Sequence, residues 1–181
     1  MRRELRIAGF GGQGVIKAAF LTTVAAGLGE GREVAQTQSY GPEARGGACK
    51  SDVIISDQAI GYIKPLDLDV LAVMSQPAMD RYGPELDLER ALIIADSTLV
   101  TRVPAGARLV RLVAATAVAE EEFGVPLYAN IIILGVLAAT TDLVGLGSLE
   151  ECLEGNVPPR TLAANRAALR RGYNLARAQE P

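Results

Sequence analysis

Two stretches in the first quarter of the chain combine residue types that can do chemistry. Gly9-Phe10-Gly11-Gly12-Gln13-Gly14 has the GxGxxG spacing. Glycines at such positions let a backbone turn tightly and approach a ligand without Cβ obstruction, and a helix that starts there presents unpaired N–H groups to an anion such as a diphosphate. Ser39-Tyr40-Gly41-Pro42-Glu43-Ala44-Arg45-Gly46-Gly47 places an aromatic, an arginine and a carboxylate among turn formers. Arg45 suits a phosphate or carboxylate, with Glu43 as an alternative salt-bridge partner.

The chain of 181 residues contains no histidine. That removes Ser-His-Asp and Cys-His catalysis and every histidine-ligated metal or haem. Its two cysteines, Cys49 and Cys152, are far apart and form no CxxC. Iron–sulfur clusters and structural zinc usually need about four grouped thiolates, so neither is expected on this chain, and the cysteines read as buried free thiols of a cytoplasmic protein.

The elements that position these stretches follow from apolar patterning. Glu4–Phe10 reads as a strand running into the glycine turn, and Val15–Leu28 as an alanine-rich helix leaving it. Glu33–Gln38 and Ala48–Ser56 read as further strands around the Ser39–Gly47 loop. Asp69–Met74, Ala91–Ala95 and Leu109–Val113 are short apolar runs of the kind found in parallel sheets buried on both faces. Ile60–Ile63, after the Asp57-Gln58 turn, is expected as an antiparallel partner.

Helices are expected over Ala114–Phe123, Tyr128–Ala139 and Arg160–Ala178, with Gly124-Val125-Pro126 as a break. The last carries a stripe of Leu162, Leu169, Tyr173 and Ala176. Ser148 and Glu151 have capping-box spacing for a short helix ending at Gly155, and Asn130 reads as the N-cap of its apolar helix, with a contact to a neighbouring subunit as the alternative. Met74-Ser75-Gln76-Pro77 and Asp96-Ser97-Thr98 end strands on the same edge as the glycine turn and read as helix starts and turns.

The composition, 49% apolar with a net charge of −3, fits one α/β domain over residues 1–181: Rossmann-like, three-layered α/β/α, with a mixed, mainly parallel sheet. Charge divides as +3 over residues 1–50, −10 over 51–156 and +4 over 157–181. The positive first segment suits a phosphorylated ligand. The overall acidity and eight aromatic residues disfavour nucleic acid. Glu4, Arg6 and the glycines interrupt any signal peptide, and the longest apolar stretch, Leu127–Ala139, is too short for a membrane span.

A dinucleotide would ask for an acidic residue at the end of the second strand. That strand ends Gln36-Thr37-Gln38, and Glu33 lies at its start. The missing acid counts against a free-standing NAD- or FAD-binding oxidoreductase and leaves other diphosphate ligands, or a scaffold without ligand, as readings.

Three stretches together, Gly9–Val15, Ser39–Gly47 and Asn130-Ile131-Ile132-Ile133-Leu134-Gly135, resemble the signatures of the gamma subunit of 2-oxoacid:ferredoxin (acceptor) oxidoreductases, with Asn165 and Gly172-Tyr173 as a weaker fourth. The resemblance is greatest to the 2-oxoglutarate type. It implies a Rossmann-like domain that packs on alpha and beta, and in some complexes delta, subunits. Those subunits would hold thiamine diphosphate and the iron–sulfur clusters, pass electrons to ferredoxin or another acceptor, and release an acyl-CoA. On this resemblance Gly11, Gly12, Gln13 and Gly14 would face the diphosphate of coenzyme A, and Tyr40 and Arg45 would line the approach of its phosphates. Ala44 departs from the bulkier residue usual at its position. The isolated chain would be colourless and inactive.

Overall fold

The structure is a computed structural model describing residues 1–39 and 48–179. Six strands form one sheet in the order β2-β3-β1-β4-β5-β6. They are β1 (Arg2–Phe10), β2 (Glu33–Ser39), β3 (Ala48–Ser56), β4 (Val70–Val73), β5 (Leu92–Asp96) and β6 (Leu109–Val113). β1 pairs in parallel with β4, β4 with β5, and β5 with β6. β3 runs antiparallel to both β1 and β2. The sheet is therefore mixed and mainly parallel, but its one antiparallel strand is β3. Ile60–Ile63 forms no strand; Tyr62 and Ile63 are exposed, while Arg2 Nη1 donates to the Tyr62 carbonyl.

Alternation along the strands sorts the two faces. Leu5, Ile7, Val53, Ile55, Ala72 and Ile94 point into one core, and Ala8, Leu71, Val73, Ile93 and Ala95 into the other. The first core lies under α1 (Val15–Val24), α4 (Ala129–Thr140), α5 (Leu146–Leu153) and α6 (Leu162–Arg177). The second is covered by α2 (Gln76–Tyr82) and by irregular chain carrying Leu68, Leu86 and Val100. This second layer is thin, but it completes the three-layer arrangement.

α4 is buried on almost every side, from Ala129 to Leu137. Each fully buried large aliphatic such as Ile132, Ile133 or Leu137 contributes about 1.5–3 kcal/mol. Its contact with α6 is backbone against backbone. A Cβ on Gly135 would fall 2.0 Å from the Leu169 carbonyl oxygen, and one on Gly172 would fall 1.9 Å from that of Ile132. Only glycine at both positions permits this crossing.

Helix ends differ from the sequence expectations in three places. α1 stops at Val24 and continues as one wider turn over Ala25–Gly29. α5 begins three residues earlier than a Ser148 cap would allow; Gly145 precedes it without a side-chain cap, and Ser148 sits inside the helix. Asn130 is not an N-cap either. It is the second residue of α4, which follows a short 3-10 turn over Pro126–Tyr128, and it is 4% exposed. Ser75 does cap α2, accepting from the Ala78 N–H at 3.4 Å.

Candidate functional site at the glycine turn

β1 delivers the chain to the carboxyl edge of the parallel strands, where open α/β sheets place ligands. Gly12 has φ +99° and Gly14 φ +75°, both in the region that favours glycine. Gln13 holds the turn together. Its Oε1 accepts from the Phe10 N–H at 2.8 Å, and its Nε2 donates to the Met74 carbonyl at 2.7 Å, tying the end of β1 to the end of β4. Gly9 makes room for this brace: a Cβ there would fall 2.4 Å from Gln13 Oε1.

α1 starts immediately after the turn, with Gly14 as its cap and no acidic residue in its first turn. The Gly14 carbonyl accepts the first helical bond from Ala18 at 2.9 Å and a second from Asn130 Nδ2 at 3.2 Å. Asn130 is thus buried within this chain and has its partner on another element. The first N–H groups of α1 have no intrahelical acceptor and lie at the positive end of the helix dipole.

The turn opens on a cavity of about 480 Å³ walled by Phe10, Met74, Leu99, Val125, Pro126, Leu127 and Ala129. Gly11, Gly12 and Gln13 form one side, with Thr116 and Glu120 as its other polar side chains. Phe10, Val125 and Leu127 are 40%, 45% and 50% exposed at the rim. The start of α3 (Ala115–Phe123) is fixed by Asp96, whose carboxylate accepts from the Thr116 hydroxyl at 2.5 Å and from the Thr116 and Thr98 N–H groups. Asp96 is a structural anchor, as the turn reading required.

The structure brings Gly11, Gly12, Gln13 and Gly14 together. Gln13 differs from the other three because its side chain is engaged inside the turn, which makes it a positioning residue. Tyr40 and Arg45 lie outside the described residues.

Sequence reasoning missed a buried charge network centred on the paired Arg6 and Asp52 in the middle of β1 and β3. Arg6 Nε and Nη2 donate to the two oxygens of Asp52 at 2.6 and 3.2 Å, and its Nη1 to Glu85. Lys50 Nζ lies 3.1 Å from Asp52 Oδ2. Both cations stack over the Tyr82 ring, at 5.0 and 5.5 Å from its centroid. Burial works against the Arg6 charge, yet Asp52 and Glu85 hold its pKa above the ordinary value. A cleft of about 390 Å³ lined by Arg6, Lys50, Lys64 and Thr37–Ser39 adjoins this network. The available signal was Glu4 and Arg6 alternating with Leu5 and Ile7, which marks a polar stripe on a strand otherwise destined for the core.

Cys49 and Cys152 are both free thiols. Cys152 Sγ donates to the Leu149 carbonyl at 3.2 Å, and burial pushes its pKa to about 11; burial also raises that of Cys49. No group of three or more candidate ligands occurs among the described residues. A dinucleotide site fares no better. β2 ends without a carboxylate, and β3 separates it from β1 by a second strand spacing of about 4.8 Å.

A mixed sheet with a glycine turn feeding α1 and a braced, apolar-walled cavity at its carboxyl edge defines a Rossmann-like module. Residues 4–175 match the pyruvate ferredoxin/flavodoxin oxidoreductase family, and the chain belongs to that family, as a gamma-type subunit of a 2-oxoacid:ferredoxin oxidoreductase. It is 40% identical over 179 residues to the 2-oxoglutarate synthase subunit KorC of Methanocaldococcus jannaschii, covering 98% of this chain and 95% of that protein. The keto/oxoacid ferredoxin oxidoreductase gamma subunit of Geobacter sulfurreducens superposes with a TM-score of 0.89 at 35% identity, over 100% of this chain and 99% of that one. A 2-oxoglutarate:ferredoxin oxidoreductase of Magnetococcus marinus, solved with 2-oxoglutarate, coenzyme A and succinyl-CoA bound, shares the fold: TM-score 0.85, 22% identity, 99% of this chain and 32% of that one. Proteins of this family work as complexes, so other subunits of the oxidoreductase are partners of this chain. No helix among the described residues is long and apolar enough to cross a membrane.

Proposed function

We propose that this chain forms the coenzyme A side of a 2-oxoglutarate:ferredoxin oxidoreductase and helps hold that complex together. The observation that carries the reading is the junction at the glycine turn. Unpaired N–H groups at the start of α1 suit the diphosphate, and the adjoining cavity of about 480 Å³ suits the apolar parts of the pantetheine arm. Similarity to KorC supports 2-oxoglutarate as the oxoacid.

In this reading Gly11, Gly12 and Gly14 admit the diphosphate to the backbone, while Gln13 and Asn130 keep the turn from collapsing when no ligand is present. Phe10, Val125 and Leu127 exclude water from the arm or meet a partner subunit. By the family resemblance Tyr40 and Arg45 would line the approach of the coenzyme A phosphates. Thiamine diphosphate, which supplies the decarboxylation chemistry when bound, and the iron–sulfur clusters belong to the alpha, beta and any delta subunits; the donor set of this chain does not suit a cluster. Electrons leave through those subunits to ferredoxin or another acceptor.

The test is Gly12→Asp in the assembled complex, with Gly12→Ala as the control that shares the backbone strain without the charge. The aspartate variant is expected to raise KM for coenzyme A by about tenfold or more over the alanine variant, with KM for 2-oxoglutarate unchanged. Equal KM values for coenzyme A in the two variants would remove the diphosphate from this turn.

A further inference from the structure

At the opposite edge of the sheet, where the parallel strands begin, a cavity of about 600 Å³ opens between the starts of β4, β5 and β6 and the carboxyl end of α4. Its volume lies within the range of about 300–1,000 Å³ usual for small-molecule sites. Arg3, Arg90 and Arg111 line it, against Asp69 and Asp142.

The three arginines are not equally engaged. Arg3 donates to Asp69 at 3.0 Å and to Asp142 at 2.8 Å, and Arg90 to Asp67 at 3.2 Å. Arg111 makes no ion pair among the described residues, and its one recorded hydrogen bond reaches the neighbouring Val110 carbonyl at 3.4 Å. The Nε atoms of Arg3 and Arg111 are both shut off from water and without an acceptor. Two such orphans on residues that line one cavity call for an explanation, because a buried donor left unpaired is destabilising. A guanidinium placed only to offset the negative end of the α4 dipole would donate to the last carbonyls of that helix. Arg111 does not.

We propose that this cavity binds a small molecule through an oxyanion, a phosphate or carboxylate group, held by Arg111 with Arg3 beside it. Arg3 and Arg90 already have carboxylate partners in Asp69, Asp142 and Asp67, so Arg111 is the lining cation that an oxyanion would pair. Asp69 and Asp142 fix Arg3 through its Nη atoms, whereas no carboxylate among the described residues holds Arg111, which a change of rotamer could turn into the cavity. That change presents its Nε and an Nη as a fork to two oxygens of one anion, the geometry in which arginine outperforms lysine. The site is independent of the coenzyme A reading and uses none of its residues.

The experiment uses the full chain in inorganic phosphate, in citrate and in chloride at matched ionic strength. Thermal unfolding is expected to show a saturable midpoint rise of about 2–4 °C in phosphate or in citrate over chloride, and which of the two saturates identifies the group. Arg111→Gln is expected to abolish the rise and Arg166→Gln to retain it. In the unaltered chain, Nε–H resonances of 15N-labelled arginine should shift for Arg111 on addition of the same anion, a readout that does not depend on any variant folding. Absence of a saturable rise with both anions, survival of the rise in Arg111→Gln, or an unmoved Arg111 resonance would each overturn the proposal.

Discussion

Asn130 Nδ2 donates to the carbonyl oxygen of Gly14 across 3.2 Å, joining the start of α4 to the start of α1 over 116 positions of sequence. The same oxygen accepts from Ala18, so one atom closes the first turn of α1 and anchors the glycine turn to the core. Asn130→Ala is expected to cost about 1–2 kcal/mol in urea unfolding. Asn130→Asp should cost more, because it sets a carboxylate against a carbonyl in a buried place. Equal stability of the two variants would show that the contact is incidental.

Gly12 and Gly14 both have positive φ, but they should respond differently to alanine. A Cβ on Gly14 would fall 2.2 Å from Asn130 Nδ2, whereas around Gly12 nothing lies within 4 Å. Gly12→Ala carries backbone strain alone, about 1–2 kcal/mol. Gly14→Ala adds the displacement of Asn130 and should show the larger fall in Tm. In an Asn130→Ala background that extra loss should shrink, since the two residues share one interaction.

The crossing of α4 and α6 gives a third expectation. Gly135→Ala and Gly172→Ala each drive a methyl into main-chain atoms that cannot move without parting the helices. Each should cost about 3 kcal/mol or more, and the pair together less than the sum, because the first substitution already opens the gap. Additive losses in chemical denaturation would argue against a shared backbone contact.

Cys152 supplies a pH dependence. Burial holds its thiol protonated up to about pH 11 in the folded chain, while an unfolded thiol ionises near about 8.5. The stability associated with the neutral thiol is therefore fully present below about pH 8.5 and is lost as pH rises towards 11. Cys152→Ala should flatten that part of the alkaline loss. At pH 8 iodoacetamide should reach Cys49 before Cys152 in the folded chain, and both once it is unfolded; rapid labelling of Cys152 in the native state would contradict the burial argument.

The glycine turn, the apolar strands and the buried helix were legible because each is a local pattern: a spacing of glycines, a run of β-branched residues, a long apolar stretch. β3 shows the limit. Ala48–Ser56 reads as a strand, but its direction and its place between β1 and β2 arise from pairing partners far away in sequence, and an antiparallel strand was instead expected at Ile60–Ile63. Asn130 failed for the same reason, since its position before an apolar helix resembles a cap while its acceptor belongs to another element. Arg6, Asp52 and Glu85 converge from three separate segments. No spacing rule could unite them.

The backbone crossing of α4 and α6 also sets an order of events in the making of the molecule. β1, its turn and α1 precede α4 and α6 in the chain, yet the amide that closes the turn sits on α4, and α4 packs backbone to backbone against Gly172 of α6 at Ile132. Synthesis proceeds from the amino end, and domains tend to fold as units. The glycine turn should thus stay unconsolidated until α6 has emerged. Anything that binds at that turn would then have to wait for α6, a helix far along the chain from it.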